Sequence, residues 1–457
     1  MTKSDVFHPS FKEEPYWWEA FRPEAEPAQE VPRHTRIAIV GGGYAGLSTA
    51  LELAKQNVES VVLEARELGF GASTRNGGGV SPGINVGKSL TGRTIDLKSD
   101  RARSIVSEGF DAFSTLEDLI EQERFECQWL KCGRFVGAWT PEHFDQLARR
   151  IDTLNRIGHT DIRMLPRERQ RDEIGSDFYY GGMVVERAAT LHPSLYFKSL
   201  LDACRKRGVA ICSQAPVNRI ARHGTKWQVD TGRGSLSADE VVIATNGYTG
   251  KLTPLLQRRV IPIASHIIAT EALPPDMIAS LIPRRRVIAD TKRVLCYYRI
   301  SPDGTRMLFG GRPRFTQVTA KDSAPILRSY MIDRFPQLAG TRVTHAWTGN
   351  TAFTLDALPH MGKIEGMHYL MGCNGSGVAI MTHLGVQTAR KIAGVTSDTS
   401  VYDTDEFPSH PLYNGNPWFL PLVGTWYRAR DAFDRRMAEL RFPRKASSSD
   451  ELARPSA

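Results

Sequence analysis

The stretch that most constrains the fold is Arg36 to Glu64, RIAIVGGGYAGLSTALELAKQNVESVVLE. Ile37 to Val40 is apolar without alternation, the pattern of a strand buried on both faces, and Gly41, Gly43 and Gly46 follow at once in the spacing G-x-G-x-x-G. A second apolar run, Val58 to Leu63, ends in Glu64. The unit reads as strand, turn, helix, strand. Gly41 permits the tight turn, Gly43 lets backbone approach a pyrophosphate, and Gly46 lets the helix close on the strand. The helix-start amides, around Tyr44 and Ala45, then face two phosphates. Glu64, roughly 20 residues beyond the glycines, is placed to accept hydrogen bonds from a ribose diol. A glycine-rich turn arising by chance leaves Glu64 unexplained, so an ADP-containing dinucleotide is the expected ligand.

Three further glycine loops belong to the same argument. LGFGASTRNGGG, Leu68 to Gly79, holds five glycines, more than a turn requires, and its Ser73, Arg75 and Asn76 offer donors to phosphate and ring carbonyls. VVIATNGYTG, Val241 to Gly250, is a strand running into a turn that would bring Thr245, Asn246 and Gly247 beside the first loop. Near the end, strand Met367 to Met371, a loop containing Gly372, Asn374, Gly375, Ser376 and Gly377, and a helix from Val378 to Ala393 repeat the opening logic. A second helix start aimed at a cofactor is a site for developing negative charge.

Loops at 41, 71, 247 and 375 can converge on one ligand only if the chain leaves that domain and returns. The expected fold is therefore α/β. A Rossmann-like domain is assigned to residues 30–95, 181–256 and 335–400, and a discontinuous antiparallel-sheet substrate domain to 96–180 and 257–334. Residues 401–457 form a helical tail. Within this frame, Ala102 to Glu121 and Pro141 to Arg156 have helical periodicity. Thr190 to Gly208 reads as a helix with Pro193 in its first turn and Gly208 past its end. Arg258 to Glu271 and Arg286 to Arg314 read as strands outside the parallel sheet. The tail helix, Gly424 to Arg441, places Trp426, Ala429, Phe433, Met437 and Leu440 on one face and arginines on the other, and is expected to dock on the body of the protein, an interfacial membrane helix being the rarer alternative. Pro15-Tyr16-Trp17-Trp18, ahead of the first strand, is expected to pack on the domain body.

Composition narrows the function classes. A chain of 457 residues with 41% hydrophobic content is long enough for two domains. No run approaches 18 apolar residues, and residues 1–35 lack a signal-peptide apolar region, so a cytoplasmic protein without a membrane span is expected. The six cysteines contain no C-x-x-C pair, and the 12 histidines no H-E-x-x-H, which argues against a metal. Ser376 lies outside any G-x-S-x-G, so a serine hydrolase is disfavoured. The net charge of +9 is spread out and no nucleic-acid motif accompanies it.

Taken together, IAIVGGGYAGLSTALELA, LEARELGFGASTRNGG, LHPSLYFKSL, VVIATNGYTG, PIASHIIATE, YYRISPDGTRMLFGGR and WTGNTAFTLDALPHMG resemble the glycine oxidase/D-amino-acid oxidase superfamily of FAD-dependent amine oxidoreductases. The branch most resembled is the gamma-glutamylputrescine oxidoreductase-like group, over roughly residues 36–395. The resemblance implies FAD held without a covalent bond, since the GASTRNGG loop lacks histidine and cysteine; Cys373 is the one cysteine in a cofactor loop. It assigns the ADP half to Gly41, Gly43, Tyr44, Ala45, Gly46 and Glu64, and the middle to Ala65, Arg66, Gly71, Ala72 and Ser73 to Gly78, including Arg75, Asn76 and Gly77. Val217 falls to the adenine, Thr245, Asn246, Gly247 and Gly349 flank the cofactor, and Gly372 and Asn374 to Val378 lie at the ring's pyrimidine end. Where the family usually carries a histidine in the last loop, this chain has Ser376.

The resemblance also implies a sheet roofing the flavin. Alternation along Cys296-Tyr297-Tyr298-Arg299 puts Tyr297 and Arg299 on one face, and these two, with His266 and Trp347, are the pocket and catalytic candidates. Each has a plainer reading as a structural residue. Arg299 in the pocket would favour an anionic amine over a polyamine. The expected reaction is oxidation of an amine or amino acid to an imine that water hydrolyses, the electrons passing to oxygen or to an electron carrier. A flavin-bearing partner protein without turnover and a nicotinamide dehydrogenase are the alternatives, and the oligomeric state stays open.

Overall fold

The computed structural model describes residues 6–24, 29–83, 97, 99–316, 318–395 and 400–442. Strand His34–Val40 lies central in an eight-stranded sheet, parallel to Ser60–Leu63 on one side and Gly234–Ile243 on the other. Ala210–Cys212 extends it beyond Ser60–Leu63, while Met367–Met371 pairs in parallel with the end of Gly234–Ile243. An antiparallel ribbon, Val217–His223 and Lys226–Thr231, runs off the first half of Gly234–Ile243. Ile37, Ala38 and Ile39 are fully buried in the core that this sheet shares with helices Tyr44–Lys55 and Gly377–Ala393. The helix Tyr44–Lys55 follows the first strand and packs on Gly377–Ala393, so closely that a Cβ on Gly385 would lie 2.7 Å from the Ala45 carbonyl oxygen.

A nine-stranded sheet forms the second layer, in the order Phe7–Lys12, Val343–Phe353, Ile261–Thr270, Met307–Gly311, Cys296–Ile300, Val287–Asp290, Arg134–Gly137, Gly182–Val185, Ile162–Leu165. Its pairings are antiparallel except for two, Phe7–Lys12 with Val343–Phe353 and Arg134–Gly137 with Val287–Asp290. Side chains alternate strictly across it. Ile268, Tyr298, Phe309 and Ala346 join the core under helix Ala320–Arg334, whereas Ile267, Tyr297 and Leu308 face the first sheet. The strands from 261 to 311 therefore lie outside the parallel sheet, as their alternation predicts.

The boundaries read from the sequence need three corrections. Val343–Phe353 belongs to the roof sheet, because it is zipped along its whole length to Ile261–Thr270, from Ile261 opposite Phe353 to Thr270 opposite Val343. Gly182–Val185 belongs there too, between Arg134–Gly137 and Ile162–Leu165. Helix Asp100–Gln122, assigned to the substrate domain, instead buries Ile105, Phe113, Leu116 and Ile120 in the core of the nucleotide-binding layer.

The tail helix, Leu420–Arg441, docks with the opposite face to the one its periodicity suggests. Its buried positions are Leu420, Gly424, Asp431, Arg435 and Ala438. Asp431 accepts from the Arg293 and Val294 amides at 3.1 and 3.0 Å, and Arg435 donates to the Trp139 and Phe178 carbonyls at 2.7 and 2.6 Å. A buried polar docking set takes the contact because the surface it meets offers backbone groups that need partners, the Trp139 and Phe178 carbonyls and the Arg293 and Val294 amides, beside aromatic rings on which Arg435 stacks.

Candidate active site

Between the two sheets lies a cavity of about 1140 Å³. Gly41, Gly43, Tyr44, Ala45 and Glu64 line one end of it. The Glu64 carboxylate accepts from the Gly42 amide at 2.8 Å and from the Arg66 amide at 3.0 Å. Burial nevertheless pushes its acid above the ordinary range. The Tyr44 amide donates to Ser73 Oγ at 3.0 Å, so the second glycine loop reaches the helix start. Gly46 lies behind this wall, where a Cβ would sit 1.9 Å from the Gly41 carbonyl oxygen. Its smallness lets helix and strand touch, as the motif requires. Ala65, Arg66 and Val217 continue the lining, with Arg66 stacked over Phe70 at 4.4 Å.

Gly71, Ala72, Ser73, Arg75, Asn76 and Gly77 line the middle. Two of the donors expected there are already engaged. Arg75 donates to the Phe70 and Thr348 carbonyls at 2.8 and 3.2 Å, and lies against the Trp18 ring. Asn76 donates to the Ser73 carbonyl at 2.9 Å and accepts from the Gly78 amide at 2.9 Å. Both side chains hold the loop in shape, which leaves Ser73 as the loop's hydroxyl at the helix start. The aromatic prologue packs behind them: the Trp17 indole donates to the Asn76 carbonyl at 2.8 Å and the Trp18 indole to Thr74 Oγ1 at 2.9 Å.

Thr245, Asn246, Gly247 and Gly349 also line the cavity. Asn246 Oδ1 accepts from the Gly372 amide at 3.0 Å, tying the third loop to the last. Gly372 itself stands outside the lining, while Asn374, Gly375, Ser376, Gly377 and Val378 face it. Asn374 donates to the Gly372 carbonyl at 2.7 Å and accepts from the Thr354 amide at 3.1 Å. Helix Gly377–Ala393 begins at Ser376 with no side-chain cap, so its first amides open into the cavity. Cys373 is buried, with Sγ 3.7 Å from the Ala352 carbonyl oxygen.

The pocket candidates separate. Tyr297 lines the cavity, its ring held where Gly77 and Gly310 have no side chains, and its hydroxyl lies 2.9 Å from Ser265 Oγ. Burial raises the phenol. Arg299 lines it as well, but its Nη1 donates to the Gly78 and Leu191 carbonyls at 3.0 and 2.9 Å, so it fastens the glycine loop rather than presenting a free fork. Burial lowers it to about 10. His266 is on the wrong face. The strand phase puts Ser265 and Ile267 inward and His266 outward, where its Nδ1 meets Ser323 Oγ at 2.9 Å and burial lowers it to about 4. Trp347 shares the inner face but is covered by Trp17, and its indole donates to the Arg75 carbonyl at 2.8 Å. It buttresses the loop and does not reach the cavity.

The sequence reading missed Arg312, which follows strand Met307–Gly311 directly. It lines the cavity, rests on the Phe353 ring at 4.6 Å, and points at the last glycine loop, Nη2 lying 3.7 Å from where a Gly375 Cβ would be. Among the described residues it has no acid partner, its Nε is buried without a hydrogen bond, and burial lowers its pKa. The Gly310-Gly311 pair before it was the available signal, since two glycines ending a strand mark a close approach. Arg134 and Arg150 line the far part, Arg134 donating to Ser81 Oγ at 2.9 Å and lowered by burial to about 10. The acids on the described lining are Glu64 and Asp290, and Asp290 is already paired to Arg334 at 2.7 Å. The field in the cavity is cationic.

No cluster arranged to hold a metal ion occurs among the described residues, and none of their helices is long and apolar enough to cross a membrane. The donor set does fit an FAD. One helix start meets Glu64 across side-chain-free backbone, a second uncapped helix start also lines the cavity, and apolar side chains such as Ile267 and Leu308 share the lining.

Known proteins place this geometry. Gamma-glutamylputrescine oxidoreductase of Escherichia coli (strain K12) is 30% identical over 401 residues, spanning 86% of this chain and 92% of that one. A probable oxidoreductase, OrdL, of Haemophilus influenzae is 30% identical over 388 residues, 84% of this chain and 88% of its own. Among solved structures, glycine oxidase from Geobacillus kaustophilus superposes with a TM-score of 0.69 at 19% identity, covering 83% of this chain and 99% of that one. L-Proline dehydrogenase from P. horikoshii gives 0.69 at 18%, covering 82% and 97%. The FAD dependent oxidoreductase (DAO) family matches residues 36–391, and with two helix starts on the cavity lining, Glu64 and a roof sheet in place, this chain belongs to that family and takes FAD as its cofactor.

Proposed function

We propose that the protein oxidises an amine that also carries an anionic group, such as an amino acid or a gamma-glutamyl amine, at the carbon beside the nitrogen. What supports this reading above all is Arg312, a half-buried cation without an acid partner among the described residues, turned toward the last glycine loop in a cavity whose lining is rich in arginine. The names of similar proteins, gamma-glutamylputrescine oxidoreductase, glycine oxidase and iminodiacetate oxidase, agree with an amine bearing a carboxylate.

In this reading Gly41, Gly43, Tyr44, Ala45 and Glu64 hold the ADP half of FAD, Ser73 the phosphates, and Gly375 to Val378 the far end of the ring. FAD, when bound, takes up the hydride that leaves the substrate carbon. Arg312 anchors the anion and so fixes which carbon faces the ring. Ile267, Leu308 and Tyr297 close the roof and keep water away, favouring the neutral amine whose lone pair assists hydride departure. The cationic lining disfavours an ammonium and helps the nitrogen shed its proton. Water then hydrolyses the imine to a carbonyl compound and a shorter amine. Oxygen is the proposed electron acceptor, with peroxide as product, and six free cysteines favour a reducing compartment such as the cytoplasm.

The purified yellow protein tests this directly. Anaerobic addition of an anionic amine should bleach the flavin band, and air should restore it with release of hydrogen peroxide. Restoration only by an added dye would assign a dehydrogenase. A band that no amine or amino acid moves would overturn the proposal.

A further inference from the structure

We propose that the tail helix is a docking surface for an anionic lipid membrane, on which the protein rests without crossing it. The helix is amphipathic, yet it turns its polar side inward. Asp431 and Asp434 are taken by Arg293 at 3.0 and 2.7 Å, Glu439 by Arg435 at 3.0 Å, and Gly424 sits against the Phe315 ring. These are all the acids of Leu420–Arg441.

Two things are left facing solvent. Leu422, Trp426, Phe433 and Leu440 recur at intervals of four, seven and seven residues, which places them along one face, and they are 69, 62, 57 and 71% exposed. In the segment just before the helix, Leu412 and Trp418 are 72 and 56% exposed. Beside that face stand the exposed arginines Arg430, Arg436 and Arg441, of which, among the described residues, only Arg430 is near an acid, Asp434, at 3.8 Å. A contiguous apolar stripe of this kind marks an interaction site.

Charge complementarity selects the occupant. An aromatic and leucine face rimmed by arginines suits the boundary between acyl chains and anionic headgroups, where each basic residue adds to the attraction. A second copy suits it less. Two such helices packed antiparallel about Phe433 would oppose Trp426 to Leu440 but also Arg430 to Arg436, and like charges would meet at both rims. The same helix holds Arg293 and Val294, and Arg293 lines the cavity, so the membrane-facing element also braces the cavity wall.

Flotation of the flavin-loaded full chain with vesicles of phosphatidylglycerol and phosphatidylcholine in equal parts is the test. Binding should occur, fall by roughly tenfold or more on pure phosphatidylcholine, and reverse in high salt. Trp426→Glu with Phe433→Glu should abolish it while flavin content and amine turnover are retained. Arg430→Glu with Arg436→Glu should remove the preference for the anionic lipid. Absence of flotation, or equal binding to both vesicle types, would overturn the proposal. So would a concentration-dependent dimer in sedimentation equilibrium that Phe433→Glu dissociates, because that outcome gives the face to a second copy.

Discussion

Arg312→Met separates a binding arginine from a structural one, because the two roles predict opposite signs for stability. Arg312 has no acid partner among the described residues, leaves its Nε without a hydrogen bond, and gains only the Phe353 ring at 4.6 Å. Methionine fills similar volume without the charge. Removing a half-buried cation that has no acid partner among the described residues relieves desolvation that offsets a cation–π contact of about 1 kcal/mol, so the variant should unfold at the same temperature as the parent or higher. Catalysis should move the other way. A lost charge-assisted pair of about 1.5–3 kcal/mol lowers kcat/KM roughly 10- to 150-fold on an anionic amine and little on the matching amine that lacks the acid. Thermal unfolding of the flavin-loaded variant and steady-state kinetics on such a substrate pair supply both numbers. Destabilisation beyond about 1 kcal/mol, or equal losses on both substrates, would refute the reasoning. Arg299→Met provides the contrast: the Gly78 and Leu191 carbonyls lose their donor, and stability should drop by about 2 kcal/mol.

Gly43→Val should fold but purify without FAD, since Gly43 has an ordinary φ of −85° and a Cβ would meet only Ser73 Oγ, at 3.1 Å; an absorption spectrum with full flavin content would contradict it. Gly46→Val, whose Cβ would lie 1.9 Å from the Gly41 carbonyl, should instead fail to give soluble folded protein. His266 and His192 are both lowered by burial to about 4, so the unfolded chain binds more protons between its own histidine range and that value. Their contribution is complete above about pH 6.5 and is lost as pH falls toward 4, by at most about 3 kcal/mol each. Urea unfolding across this window should show stability rising with pH, and His266→Gln should flatten that slope without altering kcat/KM. Asp431→Ala leaves the Arg293 and Val294 amides unpaired and Arg293 with Asp434 as its remaining acid, and should cost about 2 kcal/mol in chemical denaturation.

The nucleotide-binding half was legible because its determinants are local. Gly41, Gly43, Gly46 and Glu64 act through spacing along one strand–helix–strand unit, and the Gly42 amide meets Glu64 where that spacing puts it. The need for four loops to converge likewise predicted a discontinuous α/β fold with the 261–311 strands in a separate sheet. Alternation told that Tyr297 and Arg299 share a face. It could not tell which residues of a neighbouring strand share that face with them, and His266 fell on the other side by one position of register. Trp347 had the right face but a neighbour, Trp17, more than 300 residues away in the chain, which covers it. Arg299 and Arg312 are chemically the same residue; the first is occupied because two carbonyls from the 78 and 191 loops arrive beside it, and the second is not. The tail helix makes the same point in reverse, for its periodicity marks an apolar face correctly, yet the surface it meets selects Asp431 and Arg435. Periodicity and motif are properties of a short segment, whereas facing, coverage and hydrogen-bond occupancy depend on partners brought in from distant sequence, and those only the packed chain decides.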